Sequence, residues 1–198
     1  MKPVIIIPAR YKSTRFPGKP LADLHGLPMI VRVWQRCILA LDPSQVYVAT
    51  DDDQIKQVCE SHGIQVVMTS PDCLTGTDRV YDAAQQISAD LYINVQGDEP
   101  LLDPNDIIQV LKAAEQYPNQ IINAMCPITD TNEFVSLTVP KVACRPDGRL
   151  LYMSRAAIPG NKAGKLVTAH KQVCIYAFTP QALQDFASQM CKTALEEI

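Results

Sequence analysis

The first half of the chain alternates short apolar runs with amphipathic stretches, and this alternation constrains the fold more than any other feature. Apolar runs typical of buried strands cover 4–7, 46–49, 64–68 and 91–95. Each run is followed by a stretch with apolar residues at helical spacing, at 29–41, around 55–59, at 78–87 and at 104–115. Four successive strand–helix units predict an α/β fold with a mostly parallel, doubly wound sheet, since helices supply the crossovers between parallel strands.

Beyond Gln120 the pattern changes to short strands without long helices. The expected strands cover 121–126, 141–144, 150–153 and 173–178. A turn with the sequence Pro-Asp-Gly separates the second and third of them. We expect one domain over 1–198, in which about 128–179 form a β-rich insertion.

Composition limits the choice of compartment and partner. The chain has 198 residues and a formal net charge of -3, which disfavours nucleic acid as a partner. Its seven cysteines are scattered and never in C-x-x-C spacing, as expected of reduced thiols without a zinc site or disulfide framework. The sequence shows neither a signal peptide nor an apolar run of membrane-spanning length, so we expect a cytoplasmic protein without a membrane partner.

A strongly basic loop follows the first apolar run. Residues 9–21 contain Arg10, Lys12, Arg15 and Lys19 and no acidic residue. Guanidinium and ammonium donors at the end of a buried strand suit an anion, and a nucleoside triphosphate is the expected one. The alternative is a solvated basic loop without a ligand.

Polar residues also follow the other predicted parallel strands. They occupy 50–53, 69–70, 75–79 and 96–100. The carboxyl ends of parallel strands share one edge of a sheet, where α/β proteins bind their ligands. The sequence therefore predicts a nucleotide site at this edge. The acidic run 51–53 is interpreted as a helix N-terminus outside the site.

The segment 96–100 has the sequence QGDEP, in which Gly97 permits a close approach of the backbone. Asp98 supplies a carboxylate facing the basic loop, and Mg²⁺ is commonly held by one or two carboxylates together with phosphate oxygens. We therefore expect Asp98 to be a magnesium ligand. The alternative is that Asp98 or Glu99 only begins the next helix.

The segment 75–79 has the sequence TGTDR and leads into a predicted helix. Thr75 and Asp78 have capping-box spacing, which alone could explain the motif. A cap and a ligand site can coexist at a helix N-terminus, because the same backbone N–H groups point outward.

Three of these segments together resemble one protein family. The opening IIIPARYKSTRFPGKPL, the TGTDR segment and the QGDEP segment are similar to the signature of the 3-deoxy-manno-octulosonate (Kdo) cytidylyltransferases. The resemblance implies a three-layer sandwich like that of nucleotide-diphospho-sugar transferases. It also implies a Mg²⁺-dependent homodimer that converts CTP and the acidic keto sugar Kdo to CMP-Kdo and pyrophosphate for lipopolysaccharide biosynthesis.

The resemblance assigns roles to individual residues of this chain. The implied catalytic residues are Arg10, Arg15, Lys19 and Asp98. The implied nucleotide-binding residues are Pro8, Ala9, Arg10, Lys19, Thr75, Gly76, Thr77, Arg79 and Gln96. The implied sugar-binding residues are Gln96, Arg155, Gln172 and Tyr176. By the same resemblance, Arg155 would pair with the sugar carboxylate and Asp98 would hold the metal.

The sugar-binding segment departs from the family pattern. In KQVCIYAFTPQAL, Gln172 stands where the family generally has His, and Cys174 stands where it has Gly. An amide can hydrogen-bond a sugar hydroxyl, but it cannot act as a base. The family also continues past the position of Ile198 with a segment implied to hold a second metal carboxylate, so a single Asp98 would bind the metal more loosely.

The resulting hypothesis is nucleotidyl transfer, in which the anomeric hydroxyl of the sugar attacks the α-phosphate of CTP and pyrophosphate leaves. The sequence shows no Ser-His-Asp or Cys-His arrangement, so catalysis would depend on positioning and electrostatics. Two alternatives stay open. One is a cytidylyltransferase for a sialic-type nonulosonate, and the other is a non-catalytic nucleotide-binding protein.

Overall fold

A computed structural model describes residues 1–12 and 16–188. The strands are β1 (Pro3–Ala9), β2 (Asp23–Leu24), β3 (Leu27–Pro28), β4 (Val46–Thr50), β5 (Gln65–Met68), β6 (Leu91–Val95), β7 (Ile122–Pro127), β8 (Lys141–Cys144), β9 (Leu150–Ser154) and β10 (His170–Phe178). The helices are α1 (Met29–Cys37), α2 (Asp53–Ser61), α3 (Gly76–Ala84), α4 (Pro104–Gln116), α5 (Thr131–Val135) and α6 (Pro180–Ala187).

The described chain divides into two compact units. The first comprises 1–122 and the segment from 175 onward, and the second comprises 123–174. In the first unit, β5, β4, β1 and β6 are parallel neighbours in that order. Residues 175–178 of β10 pair antiparallel with β6. The expected mostly parallel, doubly wound α/β sheet is thus confirmed.

Strand β1 is buried on both faces, which explains its continuous apolar run. Val4 and Ile6 belong to a cluster with residues of α3 and α6. Ile5 and Ile7, which alternate with them, are fully buried, and α1 also contacts β1. Because side chains alternate across a strand, helices cover both faces of the sheet.

Local capping signals fix where helices begin and end. The Asp52 side chain accepts hydrogen bonds from the backbone N–H groups of Gln54 and Ile55, so the acidic run does begin a helix. At the other end of α2, Gly63 adopts a left-handed conformation with φ 72°, and its N–H bonds to the Glu60 carbonyl. Thr75 and Asp78 form the capping box expected from their spacing.

The second unit is a separate β-rich body. Residues 170–171 of β10 pair antiparallel with β8, which pairs antiparallel with β9. Ile128, Phe134 and Ala169 form its small buried cluster. Its limits lie close to the insertion expected at about 128–179. The single-domain expectation for 1–198 stays a prediction.

Predicted and observed elements differ mainly at their ends. The helix expected over 29–41 ends at Cys37 and continues as turns, with Leu39 on the surface. The strand expected at 173–178 begins earlier, at His170. Among the described residues, no helix combines the length and apolarity needed to cross a membrane.

Candidate functional site

A cleft of about 280 Å³ opens at the carboxyl ends of β1 and β6 in the first unit. Its lining brings together segments from three distant parts of the sequence. The lining residues are Pro8, Ala9, Arg10, Lys19, Pro20, Cys73, Leu74, Thr75, Gly76, Arg79, Gln96, Gly97 and Asp98. The cleft lies where an open α/β sheet binds ligands.

The basic loop presents Lys19 through a tight turn. Gly18 precedes Lys19 with φ 69°, a backbone conformation that residues other than glycine rarely adopt. The Gly18 N–H donates to the Tyr11 carbonyl at 2.9 Å, and a Cβ at Gly18 would lie 3.1 Å from the Tyr11 ring. Gly18 therefore shapes the loop through contacts within the protein.

Lys19 and Asp98 meet at the cleft. The Lys19 Nζ donates to Asp98 Oδ2 at 2.5 Å, and both side chains are partly exposed. The next residue, Glu99, has its pKa raised, first by burial, then by the neighbouring Asp98 charge, with Lys19 opposing both. Positive and negative side chains thus lie together at one edge of the cleft. Such an arrangement suits an anion and a cation that bind side by side.

Two glycines allow the segments that line the cleft to pack closely. A Cβ at Gly97 would lie 2.8 Å from the Pro8 carbonyl oxygen, which is too close for an ordinary contact. The close approach expected from Gly97 is therefore an approach to Pro8. A Cβ at Gly76 would lie 3.3 Å from the Pro8 ring and 3.4 Å from the Gln96 amide nitrogen.

Arg79 lines the cleft, but its guanidinium is committed within the protein. It is 3% exposed and donates to Thr69 Oγ1 at 2.5 Å. Its Nη2 lies 3.1 Å from Asp51 Oδ1, an ion pair without hydrogen-bond alignment. The ion pair thus links the N-terminal half of α3 to the residue that follows β4. It gives Asp51 a structural role that its place in the acidic run did not predict.

The structure brings together most of the predicted nucleotide-binding residues. Of these, Pro8, Ala9, Arg10, Lys19, Thr75, Gly76, Arg79 and Gln96 line the cleft, as does Asp98. Thr77 is not among the lining residues. Arg15 lies outside the described residues. The binding roles of all these residues stay predictions.

The predicted sugar-binding residues divide between the two units. Tyr176 belongs to the first unit, where it is partly buried and stacks on Phe178 with ring centroids 6.1 Å apart. Arg155 and Gln172 belong to the second. The Arg155 side chain is exposed, and the Gln172 N–H donates to the Pro140 carbonyl at 3.0 Å.

Within the described ranges, no group of three or more His, Cys, Asp or Glu side chains is arranged to hold a metal ion. Asp98, with Glu99 beside it in the chain, is the acidic residue that the cleft presents. One carboxylate suffices for a magnesium ion whose other ligands are phosphate oxygens and water.

A family model described as Cytidylyltransferase matches residues 4–198. The chain belongs to the cytidylyltransferase family. Its members use CTP as the nucleotidyl donor, so this chain is a CTP-dependent nucleotidyltransferase. The site geometry agrees with this assignment, because the cleft is lined by the cations Arg10 and Lys19, whose side chains suit phosphates.

Several relatives of this cytidylyltransferase share a name. It is 43% identical over 194 residues to the 8-amino-3,8-dideoxy-manno-octulosonate cytidylyltransferase of Shewanella sp. strain ANA-3, covering 95% of this chain and 79% of the relative. It is likewise 43% identical over 192 residues to the protein of the same name from Shewanella frigidimarina, covering 94% of this chain and 78% of that protein.

Two solved structures are also similar. The structure of CMP:2-keto-3-deoxy-manno-octonic acid synthetase complexed with CTP matches with a TM-score of 0.92 at 36% identity, over 100% of this chain and 81% of that one. A cytidylyltransferase from Leptospira borgpetersenii matches with a TM-score of 0.65 at 21% identity, over 99% of this chain and 67% of that one, which shows the shared fold.

Three further lining residues had no predicted role. They are Pro20, Cys73 and Leu74. Cys73 and Leu74 come directly before the TGTDR segment, so extending that motif by two positions would have included them.

Proposed function

We propose that this cytidylyltransferase transfers CMP from CTP to a 3-deoxy-manno-octulosonate-type acid sugar and releases pyrophosphate. The observation that carries the proposal is the contact between the Lys19 ammonium and the Asp98 carboxylate, 2.5 Å apart at the edge of the cleft. A cation for phosphate oxygens and a carboxylate for a metal are thereby held side by side. The similarity to a solved synthetase complexed with CTP supports the same reaction.

The reaction balances without a covalent enzyme intermediate. The anomeric hydroxyl oxygen of the sugar forms a bond to the α-phosphorus of CTP, while the bond from that phosphorus to the bridging oxygen of pyrophosphate breaks. The hydroxyl proton passes to water. Arg10 and Lys19 orient the phosphates and stabilise the negative charge on the transferring group, so rate acceleration comes from positioning and electrostatics.

We propose Mg²⁺ as the cofactor, held by Asp98. The fit is supported by the Asp98 carboxylate, which is 48% exposed at the edge of the cleft and accepts from a flexible lysine that can move away. When bound, Mg²⁺ would neutralise charge on phosphate oxygens. Lys19, released from Asp98, would then donate to the same triphosphate.

For the sugar, we propose binding by Gln96, Arg155, Gln172 and Tyr176. Arg155 is suited to the carboxylate, because a guanidinium can donate two parallel N–H bonds to its two oxygens. Gln96 lines the cleft, and its amide nitrogen donates to Asn94 Oδ1 at 3.4 Å, so we propose that its amide oxygen accepts a hydrogen bond from a sugar hydroxyl. This assignment favours an acid sugar over a neutral one.

Two sugars of this type are candidates. Similarity to CMP-Kdo synthetase favours Kdo, whereas the relatives from Shewanella carry the name of the 8-amino-3,8-dideoxy sugar. Gln172 supports the amino sugar, since an amide oxygen accepts a hydrogen bond from an ammonium group. A sialic-type nonulosonate is the third substrate to compare.

The experiment is an assay of pyrophosphate release with CTP, Mg²⁺ and each of the three sugars. We expect turnover with a manno-octulosonate sugar and at most slow turnover with a nonulosonate. CTP binding without turnover on any acid sugar would favour the non-catalytic alternative and overturn the proposal. A ratio of kcat/KM for the two octulosonates identifies the preferred substrate.

We further propose a cytoplasmic homodimer. Leu150, Leu151 and Tyr152 of β9 are 47%, 62% and 54% exposed, and β9 pairs only with β8 among the described strands. An exposed apolar edge strand is a suitable surface for a second copy. Light scattering should give twice the chain mass, and a monomer would contradict the dimer. The absence of a nucleic-acid partner stays a prediction.

A further inference from the structure

The second unit contains a buried lysine that is bonded only to backbone carbonyls. Lys141, the first residue of β8, is 0% exposed. Its Nζ donates to the carbonyl oxygens of Ser136 at 2.6 Å, Val139 at 2.8 Å and Arg155 at 2.6 Å. The three bonds use all three donors of the ammonium group, which makes burial of its charge tolerable.

The side chain of Arg155 also binds this loop. The Arg155 Nη1 donates to the Leu137 carbonyl at 3.2 Å and to the Thr138 carbonyl at 3.0 Å. The four consecutive carbonyls from 136 to 139 are therefore all bound by these two cations. Lys141 also donates to the carbonyl of Arg155. It therefore holds the Arg155 backbone directly, and it holds the Arg155 side chain indirectly, through the loop to which both residues bind.

This arrangement orients one edge of the guanidinium. Within the described part of the chain, the Nε and Nη2 atoms of Arg155 have no hydrogen-bond partner, and they form the edge that remains for a ligand. That edge presents two parallel N–H groups, the geometry that matches a carboxylate. No ion pair of the described residues involves Lys141 or Arg155, so both positive charges contribute to the potential at this position.

We propose that Lys141 is a positioning residue for the acid sugar, which acts by holding Arg155 and the loop 136–139 so that the Nε–Nη2 edge of Arg155 can bind the sugar carboxylate. This inference rests on the proposed function. Lys141 does not itself touch the substrate, since all three of its donors are used. Burial lowers the pKa of Lys141, and repulsion from the charge of Arg155 lowers it further, as expected for two cations that bind one loop.

The test is a double-mutant cycle with Lys141→Met and Arg155→Ala, in which KM is measured separately for the sugar and for CTP. We expect each single variant to raise the sugar KM by about tenfold or more and to leave the CTP KM within about twofold. In the Arg155→Ala background, Lys141→Met should change the sugar KM by less than about twofold, because its effect passes through Arg155.

Lys162→Met is the matched control, because Lys162 is an exposed lysine of the same unit. It should behave like the unsubstituted protein. Lys141→Arg restores a cation and should recover part of the sugar affinity that Lys141→Met loses. If Lys141→Met does not fold, Lys141→Arg is measured with and without Arg155→Ala and should show the same non-additivity in sugar KM.

The outcomes separate this inference from the function on which it rests. Two results would overturn the inference alone. One is an equal change in sugar KM on substitution of Lys141 with and without Arg155, and the other is an unchanged sugar KM in a folded Lys141 variant. Failure of the unsubstituted protein to turn over any acid sugar would overturn the proposed function, and the inference with it.

Discussion

The Lys19 ammonium lies 2.5 Å from the Asp98 carboxylate, although 79 positions separate the two residues in the chain. The pair joins the loop after β1 to the segment after β6. In isolation such a partly exposed ion pair contributes little to stability. Its importance is positional, because it holds a proposed phosphate ligand and a proposed metal ligand at one edge of the cleft.

Replacing Lys19 should damage the reaction far more than the fold. We expect Lys19→Ala to lower kcat/KM by about 100-fold or more, as the loss of a charge-stabilising donor does in other enzymes. The free energy of unfolding should change by no more than about 1 kcal/mol. Pyrophosphate release and urea denaturation measure the two effects.

Lys12→Ala is the control for this variant. Lys12 belongs to the same basic loop and is exposed, but it is not among the residues lining the cleft. It should retain activity within about threefold of the unsubstituted protein, since an exposed charge outside the site acts only through a screened field. Equal losses in the two variants would show that general positive charge matters, rather than Lys19.

Replacing Asp98 should uncouple nucleotide binding from magnesium. In Asp98→Asn the proposed metal ligand is lost, while an amide oxygen can still accept from Lys19. We expect Mg²⁺ to strengthen CTP binding by the unsubstituted protein and to have little effect on the variant. Calorimetric titrations of CTP with and without Mg²⁺ measure this difference, with Glu99→Gln as the neighbouring control. An unchanged response to Mg²⁺ in Asp98→Asn would remove this residue from the metal site.

A methyl group at Gly97 should disturb the cleft through packing. Since its Cβ would lie 2.8 Å from the Pro8 carbonyl oxygen, the two segments must separate. We expect Gly97→Ala to cost about 1–3 kcal/mol of stability, as overpacking typically does, and to weaken CTP binding. Gly160→Ala is the control, because its nearest contact would be 3.8 Å away. Thermal denaturation measures the stability of both variants. An equal loss of stability in Gly97→Ala and Gly160→Ala would refute the packing argument.

Cysteine reactivity offers a chemical map of the cleft. Burial raises the pKa of Cys37 and of Cys59 to about 12, so both should stay protonated and unreactive toward iodoacetamide at pH 8 in the folded protein. Cys73 lines the cleft and is partly exposed. Although burial raises its pKa as well, we expect slow alkylation that accelerates with increasing pH.

CTP with Mg²⁺ should protect Cys73 from this alkylation by about tenfold at saturation and leave Cys144 of the second unit unaffected, since bound ligand excludes reagent only from its own site. Peptide mass spectrometry gives both rates in one experiment. Equal protection of the two cysteines would indicate a general conformational change in place of a local site.

Much of this architecture was predictable because it depends on local patterns. The continuous apolar run in β1 predicts a strand buried on both faces, and the spacing of Thr75 and Asp78 predicts a capped helix start. The rule that ligands bind at the carboxyl ends of parallel strands then predicts that Lys19 and Asp98 converge. Motif resemblance supplied the cytidylyltransferase assignment, which the family match confirms.

Other features depend on contacts between distant residues and had no local signal. The sequence does not show that Asp51 pairs with Arg79, because the acidic run already fits a helix start. Nor does it show that Gly97 packs on Pro8 or that Lys141 is buried among carbonyls. A lysine in a strand is ordinarily expected at the surface, and only the position of the loop 136–139 reverses that expectation.

The cleft that holds Lys19 and Asp98 should bind cytidine triphosphate. Isothermal titration of the protein with CTP and Mg²⁺ measures this binding, with Lys19→Ala titrated in parallel. We predict saturable heat at a stoichiometry of about one per chain, and binding weakened by about tenfold or more in the variant. No binding by the unsubstituted protein, or equal affinity in Lys19→Ala, would contradict the claim.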